Sequence, residues 1–406
     1  MQVIIVGAGP AGATTALLFA RYGIHVTLIE RATSFERVFR GEGLMPSGID
    51  ALCQMGLDKL LPSIPNRYLQ SWHIYIDGAE IFVIPEPIEE LGDRAMRIVS
   101  QPAFLEKVVE VASSYPTFRF ERGARVHNLL RDESNRVVGV QLDTADGLHE
   151  ARADFVIGCD GRGSVVRTRA GLALELSPEQ YDVLWFKLPA PASLRDRCIM
   201  MIMVAARKHP TICYTSWDGR LQYGLVLPKG SAFQLRDWDW LEEAAQTAPL
   251  WLAEHLRAKR EEIDDPIRLN VLVGRCWQWT TPGLLLIGDA AHPMSPVRAQ
   301  GINLALRDAI VAANHLIPVF RAGAEAKVLD MAARAVQTER EPEIVRAQTL
   351  QFREAQGQGD ARSATWRFAL AKRVAPLLGR YRWAQRAWLR RQHDLRFGST
   401  EVKLQI

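Results

Sequence analysis

The residues best suited to chemistry lie between Leu284 and Asp308, where an apolar strand pattern, a loop and a helix pattern follow one another. Leu284 to Ile287 predicts a buried strand, and apolar residues recurring from Gly301 onward predict a helix. The N–H groups at a helix start attract negative charge, and the Asp289 carboxylate can accept hydrogen bonds from ribityl or ribose hydroxyls. The stretch therefore predicts a dock for a cofactor with hydroxyls and developing negative charge, and an ordinary strand-to-helix crossover is the alternative.

A second candidate is the glycine turn near the start of the chain, which follows the apolar run Val3 to Val6 and precedes a helix pattern. Gly7 permits a tight turn, Gly9 lets a pyrophosphate approach the backbone, and Gly12 lets the helix pack closely on the sheet. Glu30 ends the next predicted strand, where an acidic side chain accepts hydrogen bonds from an adenosine ribose. The combination predicts a dinucleotide site, with accidental glycines as the alternative.

Further polar groups follow a third apolar strand pattern, at Asp160, Gly161 and Arg167. Open α/β sheets bind ligands at the carboxyl ends of their strands, so this turn is a candidate site, and a plain turn fits it equally. Arg40 is a candidate charge-assisted donor to a cofactor phosphate or ribose. A solvated surface arginine fits the spacing of Arg40 equally.

The elements that must position these residues are alternating strands and helices near the start and mainly strands in the middle. Two alternating patterns around Asp77-Gly78 and Asp218-Gly219 predict hairpins. Alternation puts His73 and Trp72 on opposite faces of the first hairpin. With 406 residues and a hydrophobic fraction of 48%, the chain is long enough for two domains and a large core.

Composition argues against several other classes of protein. The net charge of +4, with interspersed charges, is too mild for a nucleic-acid-binding protein. The five cysteines show neither a disulfide pattern nor metal-type spacing, so no metal site is expected. The uncharged run Val3 to Ala20 is broken by glycines and lacks a preceding basic region, so we expect a soluble, cytoplasmic protein without a signal segment.

The region from Trp366 to Arg396 is rich in Arg and Trp. An apolar face is roughly formed by Leu370, Val374, Leu377, Tyr381 and Trp388. Two interpretations stay open. A basic amphipathic helix can make a weak contact with a membrane surface. A terminal helix packed on the cofactor domain with a solvated basic face explains the same pattern.

Three motifs, in this order, resemble those of the FAD-dependent aromatic hydroxylases, the single-component flavoprotein monooxygenases typified by para-hydroxybenzoate hydroxylase. They are GAGPAG at Gly7 to Gly12, DGRGSVVR at Asp160 to Arg167, and GDAAHPMSPVRAQGIN at Gly288 to Asn303. The resemblance implies an α/β fold with a Rossmann-like FAD-binding domain of the glutathione-reductase type, an inserted β-sheet substrate domain and C-terminal helices. The expected segments are 1–67, 95–178 and 268–325 for FAD, 68–94 and 179–267 for substrate, and 326–406 for the C-terminal helices.

The resemblance also implies an NAD(P)H-dependent FAD monooxygenase that hydroxylates a small aromatic or quinone-like substrate with O2 through a flavin C4a-hydroperoxide. Asp160 and Gly161 would serve both FAD and NAD(P)H, Asp289 would bind the ribityl chain, and Pro296 to Asn303 would lie along the isoalloxazine. The expected cofactor-binding residues are Gly7, Gly9, Pro10, Ala11, Gly12, Glu30, Arg31, Arg40, Gln101, Asp160, Gly161, Arg167, Gly288, Asp289, Gln300, Gly301, Ile302 and Asn303.

The residues expected to take part in catalysis are Pro296, Arg298, Gly301, Tyr214 and His73. The helix start at Gly301 would stabilise negative charge on a reduced flavin. Arg298 replaces a residue that is usually small in the family, and it is read either as a contact to a substrate anion or pyridine nucleotide or as a surface arginine. Tyr214 and His73 would orient or deprotonate a phenol-like substrate, or are packed strand residues.

Four alternative functions use parts of the same pattern. The run from Gly41 to Ser47 also resembles isoprenoid reductases, which consume no oxygen, and flavin-dependent halogenases, which depend on chloride and externally supplied reduced flavin. A flavin-binding regulator would hold FAD without NAD(P)H turnover. A nicotinamide-only dehydrogenase leaves the Gly288 to Asn303 stretch unexplained.

Overall fold

The computed structural model describes residues 1–36, 42–177, 181–230, 238–363 and 365–406, and the side chains of these residues except those of 355–368. The strands are β1 (Gln2–Val6), β2 (His25–Glu30), β3 (Gly43–Leu44), β4 (Asn66–Tyr68), β5 (Ser71–Ile76), β6 (Ala79–Pro85), β7 (Arg97–Val99), β8 (Phe118–Arg122), β9 (Arg125–Arg131), β10 (Val137–Thr144), β11 (Gly147–Arg152), β12 (Phe155–Gly158), β13 (Leu174–Leu176), β14 (Tyr181–Leu188), β15 (Ile199–Val204), β16 (Thr211–Thr215), β17 (Leu221–Pro228), β18 (Ile267–Asn270), β19 (Gly274–Cys276), β20 (Thr280–Thr281) and β21 (Leu284–Leu286). The α-helices are α1 (Pro10–Arg21), α2 (Pro46–Met55), α3 (Ile88–Leu91), α4 (Gln101–Ala112), α5 (Val165–Ala170), α6 (Trp240–Ala245), α7 (Leu250–Ala258), α8 (Gln300–Arg321), α9 (Ala326–Ser363), α10 (Thr365–Leu378), α11 (Arg382–Arg391) and α12 (His393–Phe397).

The first domain is built on a six-stranded sheet in the order β20-β21-β12-β1-β2-β8, parallel except for β20. The Val and Ile residues of β1 are buried on both faces, as expected for a parallel strand covered by helices on each side. Helices α1, α4 and α8 contribute to the core that encloses this sheet. The carboxyl ends of β1, β12 and β21 therefore meet at one edge, which brings the three glycine-containing motifs together.

The second domain is built on a seven-stranded sheet in the order β18-β14-β17-β16-β15-β5-β6, in which only β5 and β15 pair in parallel. Both expected hairpins are present: β5 and β6 flank Asp77 and Gly78, which have φ of 48° and 74°, and β16 and β17 flank Asp218 and Gly219. Strand β18 ends at Asn270, so this sheet extends slightly beyond the boundary expected at 267. The predicted α/β fold with a β-sheet domain and C-terminal helices is confirmed.

The C-terminal segment contacts both domains. Helix α9 packs along α8, and α10 packs on β6 of the second sheet. The last residues then return to the first domain, where the Tyr22 hydroxyl donates to the carbonyl of Ile406 and the Gln54 amide donates to the carbonyl of Val402 at 3.0 Å. None of the described helices has the length and apolar character needed to cross a bilayer.

Candidate active site

The glycine turn lies at the carboxyl end of β1 and forms one end of a cavity of about 530 Å³. Gly7 has φ +98°, and a Cβ at this position would lie 2.5 Å from the Cys159 carbonyl oxygen. A Cβ at Gly12 would lie 1.8 Å from the Gly7 carbonyl oxygen, whereas a Cβ at Gly9 would meet nothing within 4 Å. No side chain caps the start of α1. Its N–H groups, beside the open face at Gly9, are therefore suited to an anion.

Glu30, at the end of β2, lines the same cavity. Its two carboxylate oxygens accept N–H groups of Ala8 at 3.0 Å and Ala32 at 2.9 Å, and only 6% of the residue is exposed. A carboxylate held in this way keeps acceptor capacity for a ligand hydroxyl. Arg31 and Gln101 also lie in the cavity wall.

The Asp160 turn follows β12 and contributes Asp160 and Gly161 to the cavity. The Asp160 carboxylate accepts the Ser164 hydroxyl and the N–H groups of Val165 and Val166 at 2.7 and 3.1 Å, so it holds the start of α5. Burial raises the pKa of Asp160 despite these hydrogen bonds. Arg167 does not line the cavity, because its guanidinium donates to the carbonyls of Ala290 and Arg162 at 2.9 Å and ties the two turns together.

The third motif begins where β21 ends, and it approaches the first motif directly. A Cβ at Gly288, which has φ +62°, would lie 3.1 Å from Ala11 Cβ. Asp289 lines the cavity beside the start of α8, since a Cβ at Gly301 would lie 3.8 Å from Asp289 Oδ1. Pro10 and Ile302 line the cavity nearby.

A buried network of charged and polar side chains holds the turn of this motif in place. Asp308 on α8 accepts the Gly288 N–H at 2.9 Å and His292 Nε2 at 2.8 Å, and Arg340 Nε donates to its other oxygen at 2.7 Å. Burial alone would raise the pKa of Asp308, but attraction to His292 and Arg340 outweighs it and holds the pKa at about 2. The network fixes the turn at Gly288 to α8.

The loop before α8 has two consecutive left-handed residues, Arg298 and Ala299, with φ of 58° and 50°. Helix α8 starts at Gln300, and two predicted cofactor-binding side chains of its first turn are used to hold the loop. Gln300 donates to the carbonyls of Arg298 and Leu395 at 2.8 and 2.7 Å. Asn303 accepts the Met45 N–H at 2.9 Å and is completely buried. Neither Gln300 nor Asn303 lines the cavity, which corrects the expected placement of both side chains.

Arg298 lines the cavity with Pro296 and is not a surface arginine. Its guanidinium lies 4.6 Å from the ring centres of both Trp72 and Trp388, and Nε donates to Glu354 at 2.9 Å. Only 9% of the Arg298 side chain is exposed. Stacking and pairing therefore already engage this cation, which weakens the expectation that it meets a substrate anion.

His73 does not lie in the cavity wall, which corrects its expected place beside the substrate. Its neighbour Trp72 faces the cavity, so strand alternation turns His73 the other way. There its ring hydrogen-bonds Ser71 Oγ at 2.8 Å and Glu80 at 2.6 Å. The alternation in the sequence indicated that only one of Trp72 and His73 can face the cavity, but not which one.

Tyr214 does line the cavity, on the wall formed by the second sheet. Burial raises the pKa of Tyr214 well above its ordinary value, and the hydrogen-bonded Glu42 carboxylate raises it further. Its hydroxyl therefore stays protonated and acts as a donor, which argues against Tyr214 as the group that deprotonates a substrate. Arg40, a further predicted contact, lies outside the described residues.

The sequence interpretation missed the polar cluster around Glu42. Glu42 precedes β3, and its carboxylate accepts Ser216 Oγ at 2.7 Å, Trp217 Nε1 at 3.2 Å and Lys187 Nζ at 3.3 Å. Glu42, Lys187 and Trp217 all line the cavity. One signal was available: Lys187 interrupts the apolar strand β14 on the same face as Trp185, which also lines the cavity.

The remaining wall between the two sheets is mainly apolar and aromatic. Members of this wall are Trp72, Met96, Ile98, Val183, Trp185, Met200, Ile202, Ile212, Val226 and Leu269. The cavity thus runs from the uncapped start of α1, past the carboxylates of Glu30, Asp160 and Asp289, to an apolar chamber that contains the polar cluster around Glu42. Such a chamber suits a flat, largely apolar molecule.

Comparisons with known proteins agree with this geometry. The model of the family described as FAD binding domain matches residues 1–346. The chain is 36% identical over 367 residues to a 6-methylpretetramide 4-monooxygenase of Streptomyces rimosus, covering 86% of this chain and 82% of that protein. It is 26% identical to a probable NADH-specific resorcinol 4-hydroxylase of Rhodococcus jostii, covering 85% of this chain and 63% of that protein. The crystal structure of p-nitrophenol 4-monooxygenase PnpA from Pseudomonas putida has the same fold, with a TM-score of 0.77, 19% identity and 98% of each chain covered.

Proposed function

The chain belongs to the FAD binding domain family and is an FAD-dependent oxidoreductase of the monooxygenase type, and from this premise we propose that it hydroxylates a small aromatic or quinone-like molecule with NAD(P)H and O2. The family agrees with the one expected from the three sequence motifs. The observation that carries the proposal is the single cavity that joins the glycine turn of α1 to the apolar chamber between the two sheets.

The residues at the first end of the cavity fit the ADP half of FAD. A Cβ would meet nothing at Gly9, so the backbone is open to a pyrophosphate beside the uncapped start of α1. Glu30 is fixed by two N–H groups and keeps acceptor capacity for ribose hydroxyls. Asp289, further along the cavity, would accept hydroxyls of the ribityl chain.

When bound, FAD supplies hydride acceptance from NAD(P)H and the activation of O2. The protein's own part is to position, to stabilise charge and to exclude water. Gly301 and Ile302 line the cavity at the first turn of α8, and a helix start stabilises nearby negative charge by about 1 kcal/mol. The apolar side chains around Trp185 and Met200 keep water from the reacting groups.

The identity of the reductant and of the substrate class rests on the relatives. The Rhodococcus jostii relative is named for NADH and for resorcinol, and the Streptomyces rimosus relative is named for 6-methylpretetramide. An aromatic substrate agrees with the apolar, aromatic chamber of this chain. The oxygen-transfer step and a quinone-like substrate stay predictions.

The experiment that tests this function measures NAD(P)H oxidation and oxygen uptake by the purified holoenzyme against phenols, quinolones and prenylated quinones. We expect that substrate increases both the rate of NAD(P)H oxidation and the rate of O2 uptake. An isoprenoid reductase would reduce its substrate without oxygen uptake, and a halogenase would require chloride and externally reduced flavin. Tight FAD with no NAD(P)H turnover across the panel would indicate a regulator and contradict the proposal.

The C-terminal helices carry a separate surface, which we propose makes weak contact with anionic lipid. Residues 365–393 contain eight Lys and Arg residues and no Asp or Glu. Leu370, Leu377, Tyr381 and Trp383 are each more than half exposed on this surface, while Ala371 and Ala375 face the second sheet. Exposed apolar side chains among cations match the chemistry of an anionic bilayer surface.

A further inference from the structure

The cluster around Glu42 joins the two domains at the wall of the cavity. The Glu42 backbone belongs to the first domain, where its carbonyl accepts the Val99 N–H at 2.8 Å. Its carboxylate is held by side chains of the second sheet, Ser216 at 2.7 Å and Lys187 at 3.3 Å. Glu42 is 6% exposed, so backbone and side chain are both fixed.

The charges in this cluster are not simply balanced by one another. Lys187 lies between two carboxylates, Glu42 at 3.3 Å and Asp218 at 2.9 Å. Burial raises the pKa of Glu42, and Lys187 and Ser216 only partly oppose this effect. Among the described residues, Tyr214 and Cys198 also act on Glu42 or feel its charge, and burial raises the pKa of both.

The position of the cluster distinguishes it from an ordinary interdomain ion pair. Glu42, Lys187 and Tyr214 face the cavity and are surrounded by apolar wall residues such as Trp185 and Ile212. Lys187 Nζ donates to Asp218 at 2.9 Å, to Ser216 Oγ at 3.1 Å and to Glu42 at 3.3 Å, so its bond to Glu42 is the longest of the three. Buried titratable groups with a charge partner in a cleft are characteristic of functional sites.

We propose that Glu42 and Lys187 form a subsite for an acidic ring hydroxyl, a phenol or an enol, of the substrate. This inference rests on the proposed function. The O–H bond of the substrate breaks, the proton goes to the Glu42 carboxylate, and the electron pair stays on the substrate oxygen. Once Glu42 is protonated and neutral, Lys187 shifts its long hydrogen bond from Glu42 to the new oxyanion, and its bonds to Ser216 and Asp218 remain. No electron is exchanged in this step, and the ring gains electron density that favours attack by an electrophilic oxygen.

The two side chains have separable roles. The Glu42 carboxylate accepts the proton, so its loss should change which protonation state of a phenol is bound. The Lys187 ammonium stabilises the anion, so its loss should weaken binding of the anion without changing where the proton goes. Tyr214 is a positioning residue, because its protonated hydroxyl donates to Glu42.

The test uses 4-nitrophenol as the probe, because its phenolate absorbs in the visible range, and 4-nitroanisole as the analogue without the acidic proton. Holoenzymes of wild type, Glu42→Gln, Lys187→Met and the control Asp182→Asn are compared. Asp182 is an equally buried carboxylate on β14 that pairs with Lys229 at 3.3 Å and does not line the cavity. Difference spectra report the protonation state of bound probe, and flavin absorbance with thermal melting reports folding.

We expect the wild type and Asp182→Asn to bind 4-nitrophenol as phenolate at pH values where the free probe is mostly neutral. The Glu42→Gln variant should bind the probe as the neutral phenol. Its kcat/KM for a phenol that the wild type hydroxylates should be about 100-fold lower. The same change should abolish the Glu42-dependent limb of the pH profile. Lys187→Met should weaken phenolate binding by about tenfold, and 4-nitroanisole should bind all four proteins alike.

The proposal is overturned if the wild type binds the probe only in its neutral form or not at all. It is also overturned if Glu42→Gln, with normal flavin content and melting, still binds phenolate with an unchanged pH profile. Either result leaves the proposed function standing when labelled O2 still enters a product. Absence of substrate-dependent O2 uptake by the wild type would instead contradict the function itself.

Discussion

Gly288 and Ala11 meet across the edge of the first sheet, where a Cβ at Gly288 would lie 3.1 Å from Ala11 Cβ. The contact places the Asp289 turn beside the glycine turn, although the two motifs lie far apart in the sequence. Both then line one cavity. The close approach would allow a single cofactor to contact both motifs.

The glycines of the first turn should respond differently to substitution. Gly9→Val places its side chain in open space at φ −72°, so the apoprotein should fold normally while FAD affinity falls by about 100-fold. Gly12→Ala places a Cβ 1.8 Å from the Gly7 carbonyl oxygen, so unfolding free energy should fall by about 1–3 kcal/mol. Flavin absorbance after reconstitution and urea unfolding of the apoproteins measure these two effects. Equal loss of stability in both variants would contradict this assignment.

Asp308 should make the protein sensitive to acid. Its pKa, about 2 in the folded state, lies below the value of about 3.9 in an unfolded chain. A lowered folded-state pKa stabilises the protein above pH 4, and this stability, about 2 kcal/mol, is lost as pH falls from 4 towards 2. Urea unfolding across this range should show the loss. Asp308→Asn should flatten this part of the pH dependence and destabilise the protein at neutral pH, because Arg340 loses one of its two buried carboxylate partners and keeps only Glu343. An unchanged slope in Asp308→Asn would contradict the role of this group.

Some residues of the cavity wall could be predicted from local sequence features. The positions of Gly7, Gly9, Glu30 and Asp289 on the cavity wall were predictable because they depend on local features: a strand end, a tight turn and a helix start. The alternation of His73 with Trp72 indicated that only one of them can face the chamber, but packing of the sheet against the first domain decides that it is Trp72.

Other parts of the site depend on contacts that no local pattern contains. Glu42 is held by Lys187 and Ser216 from the second sheet, and Arg298 by Glu354 and Trp388 from the C-terminal helices. These partners are distant in sequence, and their meeting depends on how the domains and helices pack. The side chains at the start of α8 were likewise assigned to the cofactor because the loop they hold could not be foreseen.

The Arg298 guanidinium should act mainly with Glu354 and the two tryptophans. Arg298→Met should lower the free energy of unfolding by about 1–2 kcal/mol because stacking on Trp72 and Trp388 and the pair with Glu354 are lost. The double variant Arg298→Met with Glu354→Met should lose less than the sum of the two single changes. Urea unfolding of the four proteins gives the coupling. Strict additivity, together with a raised KM for anionic substrates only, would instead favour direct contact with a substrate anion.

The basic C-terminal surface should bind anionic vesicles weakly. Phosphatidylglycerol vesicles should sediment the protein at low salt, and phosphatidylcholine vesicles or high salt should not. Replacing Leu377 and Trp383, which are 59% and 61% exposed, with Ser should reduce sedimentation while flavin content and melting stay unchanged. Equal sedimentation with both lipids, or none with either, would contradict the lipid contact.

The most direct test of the central claim is the mass of the product formed under labelled oxygen. The FAD-loaded protein is incubated with NAD(P)H, ¹⁸O₂ and a panel of phenols, quinolones and prenylated quinones, and the products are analysed by mass spectrometry. The account predicts a product that contains one labelled oxygen atom from O2. A product that has gained two hydrogens without label, or no product across the panel, would contradict it.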